Sequence, residues 1–280
     1  MVVVCMKSGK MGTLPPMKTV LIIGASGGIG KETAALFLQK GFRVVNISRT
    51  PCSLPGVENK LCDVTQREKL DETLTALKDE DVACFVYSAG FSLSAPLEYV
   101  REEDYRYLFE VNFFAFLHVL QTFLPTLRAN AGTVCVVGSL AACLPIPFDP
   151  YYSASKAALN ALTRALSLEL ESQNVRIACV MPGGTKTGFT TKRKVYSAAE
   201  SDGYAKELRL ATDALARTEQ RGNSPEKVAK TIFSACIAPQ YAVLSSGILN
   251  KLYHVMSRLL PEKVLLMLLR SMYFSQPEDR

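Results

Sequence analysis

Residues 19–30 read Thr-Val-Leu-Ile-Ile-Gly-Ala-Ser-Gly-Gly-Ile-Gly, a short apolar run followed at once by four glycines in seven positions. The run predicts a buried strand, and the pattern after it predicts a helix, so the glycines lie in a strand-to-helix turn. Glycines let the backbone approach a pyrophosphate closely, and the free N–H groups of a helix start attract negative charge. The stretch predicts a dinucleotide site, with a tight structural turn as the alternative. The residues expected at this site are Gly24, Ser26, Gly27, Gly28, Ile29 and Gly30.

The same alternation of strand and helix continues along the chain. Apolar runs occur at 19–23, 43–47, 82–87, 133–137 and 175–181, and amphipathic stretches between them at 29–40, 66–78, 103–128 and 153–172. Strands that are apolar throughout are expected to be buried on both faces, as in a parallel sheet covered by helices on each side. The sequence therefore predicts an α/β fold with a doubly wound, Rossmann-type sheet.

The remaining segments differ from this core in composition. We expect residues 1–16 to form a loose N-terminal extension and residues 17–246 to form one domain. Within that domain, the polar segment 186–222 predicts a flap over the substrate site, with helical stretches and no strand. A helix is predicted from Ser224-Pro225-Glu226 to about Ala238, followed by a last strand at 241–244.

Residues 247–280 form an apolar C-terminal extension. The stretch 248–274 carries Lys and Arg at intervals, and Pro261 divides it into two predicted helices. One interpretation is that these helices pack on the body or on a second subunit. The other is that they lie on a membrane surface or cover an apolar substrate pocket.

Composition excludes several classes of protein. Hydrophobic residues make up 48% of the chain and charged residues 21%, which is typical of a globular protein. The net charge of +6 is spread without a basic block, which argues against a nucleic-acid partner. Cysteines in apolar runs, among them Cys84, Cys135 and Cys179, suit a reducing cytosol. His118 and His254 have no second ligand at metal-site spacing, so no metal is expected.

Targeting signals are not predicted. We find no apolar stretch of about 18 residues and no signal-peptide pattern, so the sequence predicts a cytoplasmic protein that is at most associated with a membrane surface.

A cofactor preference is predicted just after the second strand. An NAD site usually has an acidic residue here, whose carboxylate accepts from the ribose 2′-hydroxyl. No acidic residue lies between Glu32 and Glu58, and Arg49 occupies the place. A guanidinium can hold a 2′-phosphate in a forked contact, which favours NADP(H) over NAD(H). The alternative is a solvated loop arginine.

A second motif, Tyr152-Ser153-Ala154-Ser155-Lys156, begins a long predicted helix. Tyr152 and Lys156 are four residues apart and share a helix face, so we expect the ammonium to lower the pKa of the phenol. Ser139 follows a predicted strand upstream. The spacing of Tyr152 and Lys156 alone often occurs by chance, but its combination with Ser139 and the glycine turn indicates a catalytic site.

Together these residues make the chain resemble the short-chain dehydrogenase/reductase family over residues 18–244. The resemblance implies nicotinamide-dependent transfer of hydride between the cofactor and a carbonyl or secondary alcohol. It implies that Asn112, Ser139, Tyr152 and Lys156 are catalytic, with Asn112 in a proton relay. Two departures are Ile23, where the family has threonine, and Tyr87-Ser88, where it has two asparagines.

The resemblance also extends the set of cofactor contacts. Beyond the glycine turn and Arg49, the positions it implies are Asp63, Val64, Ala89, Gly90, Tyr152, Lys156, Pro182, Gly183, Thr185 and Thr187. Long helices at 103–128 and 153–172 are typical of relatives that pair as a homodimer or homotetramer.

The predicted substrate is a small molecule with an apolar body, such as a steroid-, retinoid- or acyl-like ketone or aldehyde. The residues expected to line its pocket are Phe91, Leu93, Leu140, Leu144, Ile146, Phe148 and Phe189. Alternatives are a smaller carbonyl substrate, a non-catalytic NADPH-binding regulator, and a nucleotide-sugar epimerase or dehydratase.

Overall fold

The computed structural model describes residues 18–189, 193–196, 202–238 and 242–275. The extension predicted at 1–16 lies outside these residues, as do two pieces of the predicted flap, 190–192 and 197–201. The strands are β1 (Thr19–Ile23), β2 (Arg43–Ser48), β3 (Val57–Leu61), β4 (Val82–Tyr87), β5 (Leu93–Ser94), β6 (Thr133–Val137), β7 (Arg176–Met181), β8 (Lys194–Val195) and β9 (Val243–Ser245). The α-helices are α1 (Gly28–Gln39), α2 (Arg67–Thr75), α3 (Glu102–Phe109), α4 (Ala115–Ala129), α5 (Pro150–Glu169), α6 (Ala205–Gln220), α7 (Pro225–Ile237), α8 (Ile248–Leu259) and α9 (Glu262–Phe274).

Seven strands form one parallel sheet in the order β3-β2-β1-β4-β6-β7-β9. From β1 the chain winds outward through β2 and β3, and from β4 it winds the other way through β6 and β7. The strand order therefore reverses between β1 and β4, where open sheets of this kind bind ligands beyond the carboxyl ends of the strands. The doubly wound α/β fold predicted from the sequence is confirmed.

The two faces of the sheet bury separate apolar cores. Alternate residues of β1 belong to opposite cores, with Ile22 on the side of α1 and α7 and Ile23 on the side of α4 and α5. Phe37 of α1 lies in the first core, and Phe116 of α4 lies in the second. Burial on both sides explains why the strands read as continuous apolar runs.

Local structure departs from the sequence prediction at three places. α5 begins at Pro150 rather than near residue 153, because proline suits the first helical position and Asp149 precedes it. A π turn at Glu110–Phe114 divides the helix predicted at 103–128. The segment 186–222 does contain a strand, β8, which pairs in parallel with β5; this two-residue ladder is too short to produce a periodic pattern.

One helix of the described residues, Glu102–Ala129, is long and apolar enough to cross a membrane by length and composition, which the sequence analysis did not expect. Its α4 part buries Phe116, Val119 and Phe123 against the sheet. The apolar side chains that make this helix pass the length and composition test therefore include residues of the protein core.

The C-terminal part contains the two helices that Pro261 was expected to separate. α9 packs against α6, with Leu269 and Tyr273 buried beside Ala211 and Leu215. β9 pairs with β7, and its predicted first residue, Tyr241, lies outside the described residues.

The turn between β1 and α1 depends on close approach of backbone atoms. Gly24 has φ +93°, and a Cβ atom there would lie 2.8 Å from the backbone nitrogen of Ala89. A Cβ atom on Gly30 would lie 2.1 Å from the carbonyl oxygen of Gly24. Only glycine fits at these two positions without moving the turn.

We predict that Gly30→Ala lowers the melting temperature by at least about 5 °C, because the added methyl group displaces the Gly24 carbonyl and costs ~2 kcal/mol or more. Gly203→Ala is the matched control, since a Cβ atom at Gly203 meets nothing within 4 Å. Differential scanning calorimetry measures both. Equal melting temperatures for the two variants would contradict this account of the turn.

Candidate active site

A cavity of about 1390 Å³ lies at the carboxyl edge of the sheet, over the point where the strand order reverses. It combines a groove along the β1–α1 turn with a chamber walled by α6, α8 and α9. Of the predicted cofactor residues, all line this cavity except Gly30, which is buried in the turn of α1 beneath it.

Backbone hydrogen bonds hold the glycine turn on the sheet. The N–H of Gly24 donates to the carbonyl of Ile47 at 3.0 Å, and the N–H of Ala25 donates to Oδ1 of Asn46 at 2.9 Å. Asn46 is fully buried and fixed in turn by Ser48 and Asn59. Sequence analysis missed Asn46 because its contact with the glycine turn, at Ala25, joins residues 21 positions apart.

Arg49 and Asp63 line the groove just beyond the ends of β2 and β3. Arg49 is exposed at the cavity, and its Nη1 lies 3.4 Å from the hydroxyl of Tyr107. Asp63 accepts the N–H of Thr65 at 3.0 Å and its hydroxyl at 2.8 Å, both on Oδ1. The guanidinium is therefore available to an anion in the groove.

Tyr152 lies in the first turn of α5 with its ring inside the cavity. Burial raises the pKa of its phenol above the usual value, and a hydrogen bond with Ser139 opposes that rise. The expectation that Lys156 lowers this pKa is wrong for the structure as described, because the cost of desolvating the phenolate dominates. Phe189 packs beside the phenol, with 5.8 Å between ring centroids.

Lys156 lies one turn further along α5. Its Nζ donates to the carbonyl oxygen of Val137 at 2.8 Å and lies 5.6 Å from the centroid of the Tyr152 ring. Burial lowers the pKa of the ammonium to about 8. A Cβ atom on Gly90 would lie 3.5 Å from this Nζ, which is ordinary van der Waals contact, so the Gly90 backbone borders the ammonium.

Asn112 is fully buried in the π turn and does not line the cavity. Its Oδ1 accepts the N–H of Phe91 at 3.0 Å, and its Nδ2 donates to the carbonyl of Phe91 at 3.0 Å and to Ser155 at 3.1 Å. The side chain thus joins the loop after β4 to α5. Nearby, the hydroxyl of Tyr87 donates to the carbonyl of Val111 at 2.6 Å, which ties β4 to the π turn without the family's asparagines.

The chamber beside Tyr152 is mostly apolar. Predicted residues that line it are Phe91, Leu140, Leu144, Ile146 and Phe189. Leu93 does not line it, because it is fully buried with Leu108 in the apolar cluster that also contains Tyr152. Phe148 does not line it either; its ring packs against Tyr204 and Phe274.

Two groups of lining residues were missed by sequence analysis. The first is the apolar wall from the C-terminal part of the chain, whose cavity-lining members are Leu215, Tyr253, Met256, Leu265, Leu268, Leu269 and Met272. The apolar pattern of 248–274 was the available signal, and it allowed a pocket cover only as one alternative.

Among the described residues, no group of three His, Cys, Asp or Glu side chains is placed to hold a metal ion.

The second group is a buried polar cluster at the cavity wall. Arg193 donates to Glu219 at 2.5 Å and, through Nε, to Ser92 at 2.9 Å. Asp149 accepts the N–H of Leu93 at 3.3 Å on Oδ1, while Oδ2 has no hydrogen-bond partner among the described residues. Burial raises the pKa of Asp149 to about 7.

This raised pKa predicts a pH-dependent stability. An acid whose pKa rises on folding binds more protons in the folded chain than in the unfolded one, so stability falls as pH rises between 3.8 and about 7. Asp149→Asn removes this loss, which is about 1.4 kcal/mol for each pKa unit. We expect the melting temperature of the variant to gain several degrees on that of the wild type from pH 5 to pH 8. The control Asp213→Asn, at an exposed carboxylate, should give parallel curves; parallel curves for Asp149→Asn would contradict the assignment.

Comparison with known proteins agrees with this geometry. The profile of the short chain dehydrogenase family matches residues 18–196. The chain is 30% identical over 220 residues to a 3-ketodihydrosphingosine reductase of Bacteroides thetaiotaomicron, covering 76% of this chain and 81% of the relative. It is 31% identical over 184 residues to an NADPH-dependent 1-acyldihydroxyacetone phosphate reductase of Schizosaccharomyces pombe, covering 62% of each.

A similar solved structure is a short chain dehydrogenase from Burkholderia cenocepacia in complex with NADP. It superposes with a TM-score of 0.71 at 21% identity and covers 92% of this chain and 98% of that one. The fold, the order of the motifs along the chain and the match over residues 18–196 lead to one conclusion: this chain belongs to the short-chain dehydrogenase/reductase family of nicotinamide-dependent oxidoreductases.

Proposed function

We propose that the protein is an NADP(H)-dependent reductase of a hydrophobic ketone or aldehyde. The observation that carries the proposal is that Ser139, Tyr152 and Lys156 line one cavity together with an apolar chamber and with Arg49. The chamber supplies room for an apolar body next to the phenol. The groove supplies the anion-binding turn of α1.

The residues of the groove fit a dinucleotide with a 2′-phosphate. Gly24 and Gly28 adopt left-handed conformations that leave the backbone of the turn open to a pyrophosphate. Arg49 stands where an NAD-selective site would have an acidic residue, and its guanidinium would hold the 2′-phosphate. Lys156 would donate to the ribose hydroxyls, because only one acceptor, the Val137 carbonyl, is hydrogen-bonded to it among the described residues. When bound, the reduced nicotinamide supplies the hydride.

The chain's own residues would handle the substrate oxygen and its proton. The Ser139 hydroxyl would donate a hydrogen bond to the carbonyl oxygen, and Tyr152 would give its proton to that oxygen as negative charge develops on it. Burial keeps the pKa of Tyr152 high, so the phenol is protonated at neutral pH and suited to this step. Asn112 would keep the loop at Phe91 fixed against α5 while Tyr152 regains its proton.

The apolar chamber favours a substrate with a long or bulky hydrocarbon part. Its walls combine Leu144 and Ile146 with the apolar faces of α6 and α9. The names of two relatives, a 3-ketodihydrosphingosine reductase and a 1-acyldihydroxyacetone phosphate reductase, support an acyl-like ketone over a steroid- or retinoid-like one. Long-chain ketones are therefore the first substrates to test.

We predict that Tyr152→Phe lowers kcat with a long-chain ketone at least about a hundredfold, because the proton donor is lost. The Kd for NADPH should stay within about threefold, since the ring remains. Turnover is followed by the loss of nicotinamide absorbance, and Kd by quenching of cofactor fluorescence. Tyr151→Phe is the matched control and should retain activity. Wild-type turnover in Tyr152→Phe would overturn the assignment.

We also predict that Arg49→Ala raises the Kd for NADPH at least about tenfold and leaves the Kd for NADH nearly unchanged, because only NADPH carries the 2′-phosphate. Arg128→Ala, at an exposed arginine far from the groove, serves as the control. An equal loss for both cofactors, or no loss for either, would argue against a 2′-phosphate contact at Arg49.

A further inference from the structure

The helix α8 turns its apolar face away from the protein. Its outer face consists of five aliphatic residues that are each more than half exposed, namely Ile248 (86%), Leu249 (58%), Leu252 (53%), Val255 (51%) and Leu259 (76%). Its inner face carries Asn250, His254 and Ser257. An ordinary surface helix has the opposite orientation, with its apolar stripe toward the core.

Polar contacts fix this orientation. The Nδ2 of Asn250 donates to the carbonyl of Ser246 at 2.6 Å, and Nδ1 of His254 lies 3.0 Å from the hydroxyl of Ser245. Asn250 is buried and packs closely against Gly183. A Cβ atom on Gly183 would lie 2.5 Å from Oδ1 of Asn250. Rolling the helix to hide its aliphatic face would break these contacts and expose buried polar groups.

α9 also exposes apolar side chains. Leu266, Met267 and Leu268 are 51%, 64% and 44% exposed. We call these three residues and the outer face of α8 the apolar platform. An exposed aliphatic face such as that of α8, whose five members lie on one side of the helix, indicates an interaction site.

The charges around the platform are mainly positive. The two helices carry four basic residues, Lys251, Arg258, Lys263 and Arg270, all exposed, against one acid, Glu262. Basic residues beside an exposed aliphatic face are typical of helices that lie at an anionic lipid surface. A second copy of the chain would bring the same positive charges against these, whereas anionic headgroups complement them.

We propose that the apolar platform docks this protein on the surface of an anionic lipid bilayer. The aliphatic side chains of α8 enter the interfacial region, and the basic residues beside them contact lipid headgroups. Tyr253 and Met256 of α8 and Leu265 and Leu268 of α9 also line the cavity, so its wall and the platform belong to the same two helices. An apolar substrate can therefore pass between bilayer and cavity along apolar surface; this last step rests on the proposed function, while docking does not.

Vesicle sedimentation of the full chain tests the proposal. We compare vesicles of phosphatidylcholine alone with vesicles containing 30% phosphatidylglycerol, at low and high salt. The wild type should bind the anionic vesicles at least about tenfold more tightly than the neutral ones, and high salt should weaken the binding. The double variant Leu252→Gln/Leu259→Gln should lose at least about tenfold in binding, and Lys251→Gln/Arg258→Gln should lose the preference for anionic lipid.

Leu168→Gln is the matched control, because Leu168 is 77% exposed on α5, away from the platform. It should bind vesicles like the wild type. Binding of the wild type to neither vesicle, or equal binding by Leu252→Gln/Leu259→Gln at an unchanged melting temperature, would overturn the proposal. So would a wild-type dimer that the double variant abolishes without any vesicle binding, since the platform would then be a subunit contact. NADPH binding by the same samples separates these outcomes from a failure of the proposed function.

Discussion

The site depends on the hydrogen bond that the buried ammonium of Lys156 donates. Its hydrogen bond to the Val137 carbonyl joins α5 to the end of β6, near the centre of the sheet. That bond sets the rotation of α5 and with it the position of Tyr152 one turn earlier. No carboxylate among the described residues pairs with this ammonium, and its burial opposes its charge, as the lowered pKa indicates. The fold tolerates the cost of burying this ammonium at the place where we propose that ribose hydroxyls of the cofactor accept its remaining hydrogen bonds.

Much of this architecture is legible in the sequence because its causes are local. Strands buried on both faces give unbroken apolar runs, and the close approach of backbone at Gly24 and Gly30 admits only glycine. The spacing of Tyr152 and Lys156 places both on one face of α5 whatever the rest of the chain does. Pro225 and Pro261 mark helix starts by the same kind of short-range rule.

The features that sequence analysis missed arise from contacts between distant segments. Phe148 is predicted as a pocket residue from its place after Ser139, yet it has a left-handed backbone conformation and its ring packs against Phe274. The pairing of β5 with β8 joins segments about a hundred residues apart in a two-residue ladder. The raised pKa of Asp149 follows from burial that no local pattern reveals. The sequence shows that α8 is apolar, but it does not show which face points outward. That orientation follows from the contacts of Asn250 and His254 on the inner face.

We propose that the groove along the β1–α1 turn binds NADPH in preference to NADH. The most direct measurement is the melting temperature of the full chain with each cofactor at matched concentrations. Ligand at a hundred times its Kd stabilises the folded state by about 2.7 kcal/mol, so we predict a clear rise with NADPH and a much smaller one with NADH. No rise with either cofactor in a well-folded sample, or a larger rise with NADH, would contradict the account.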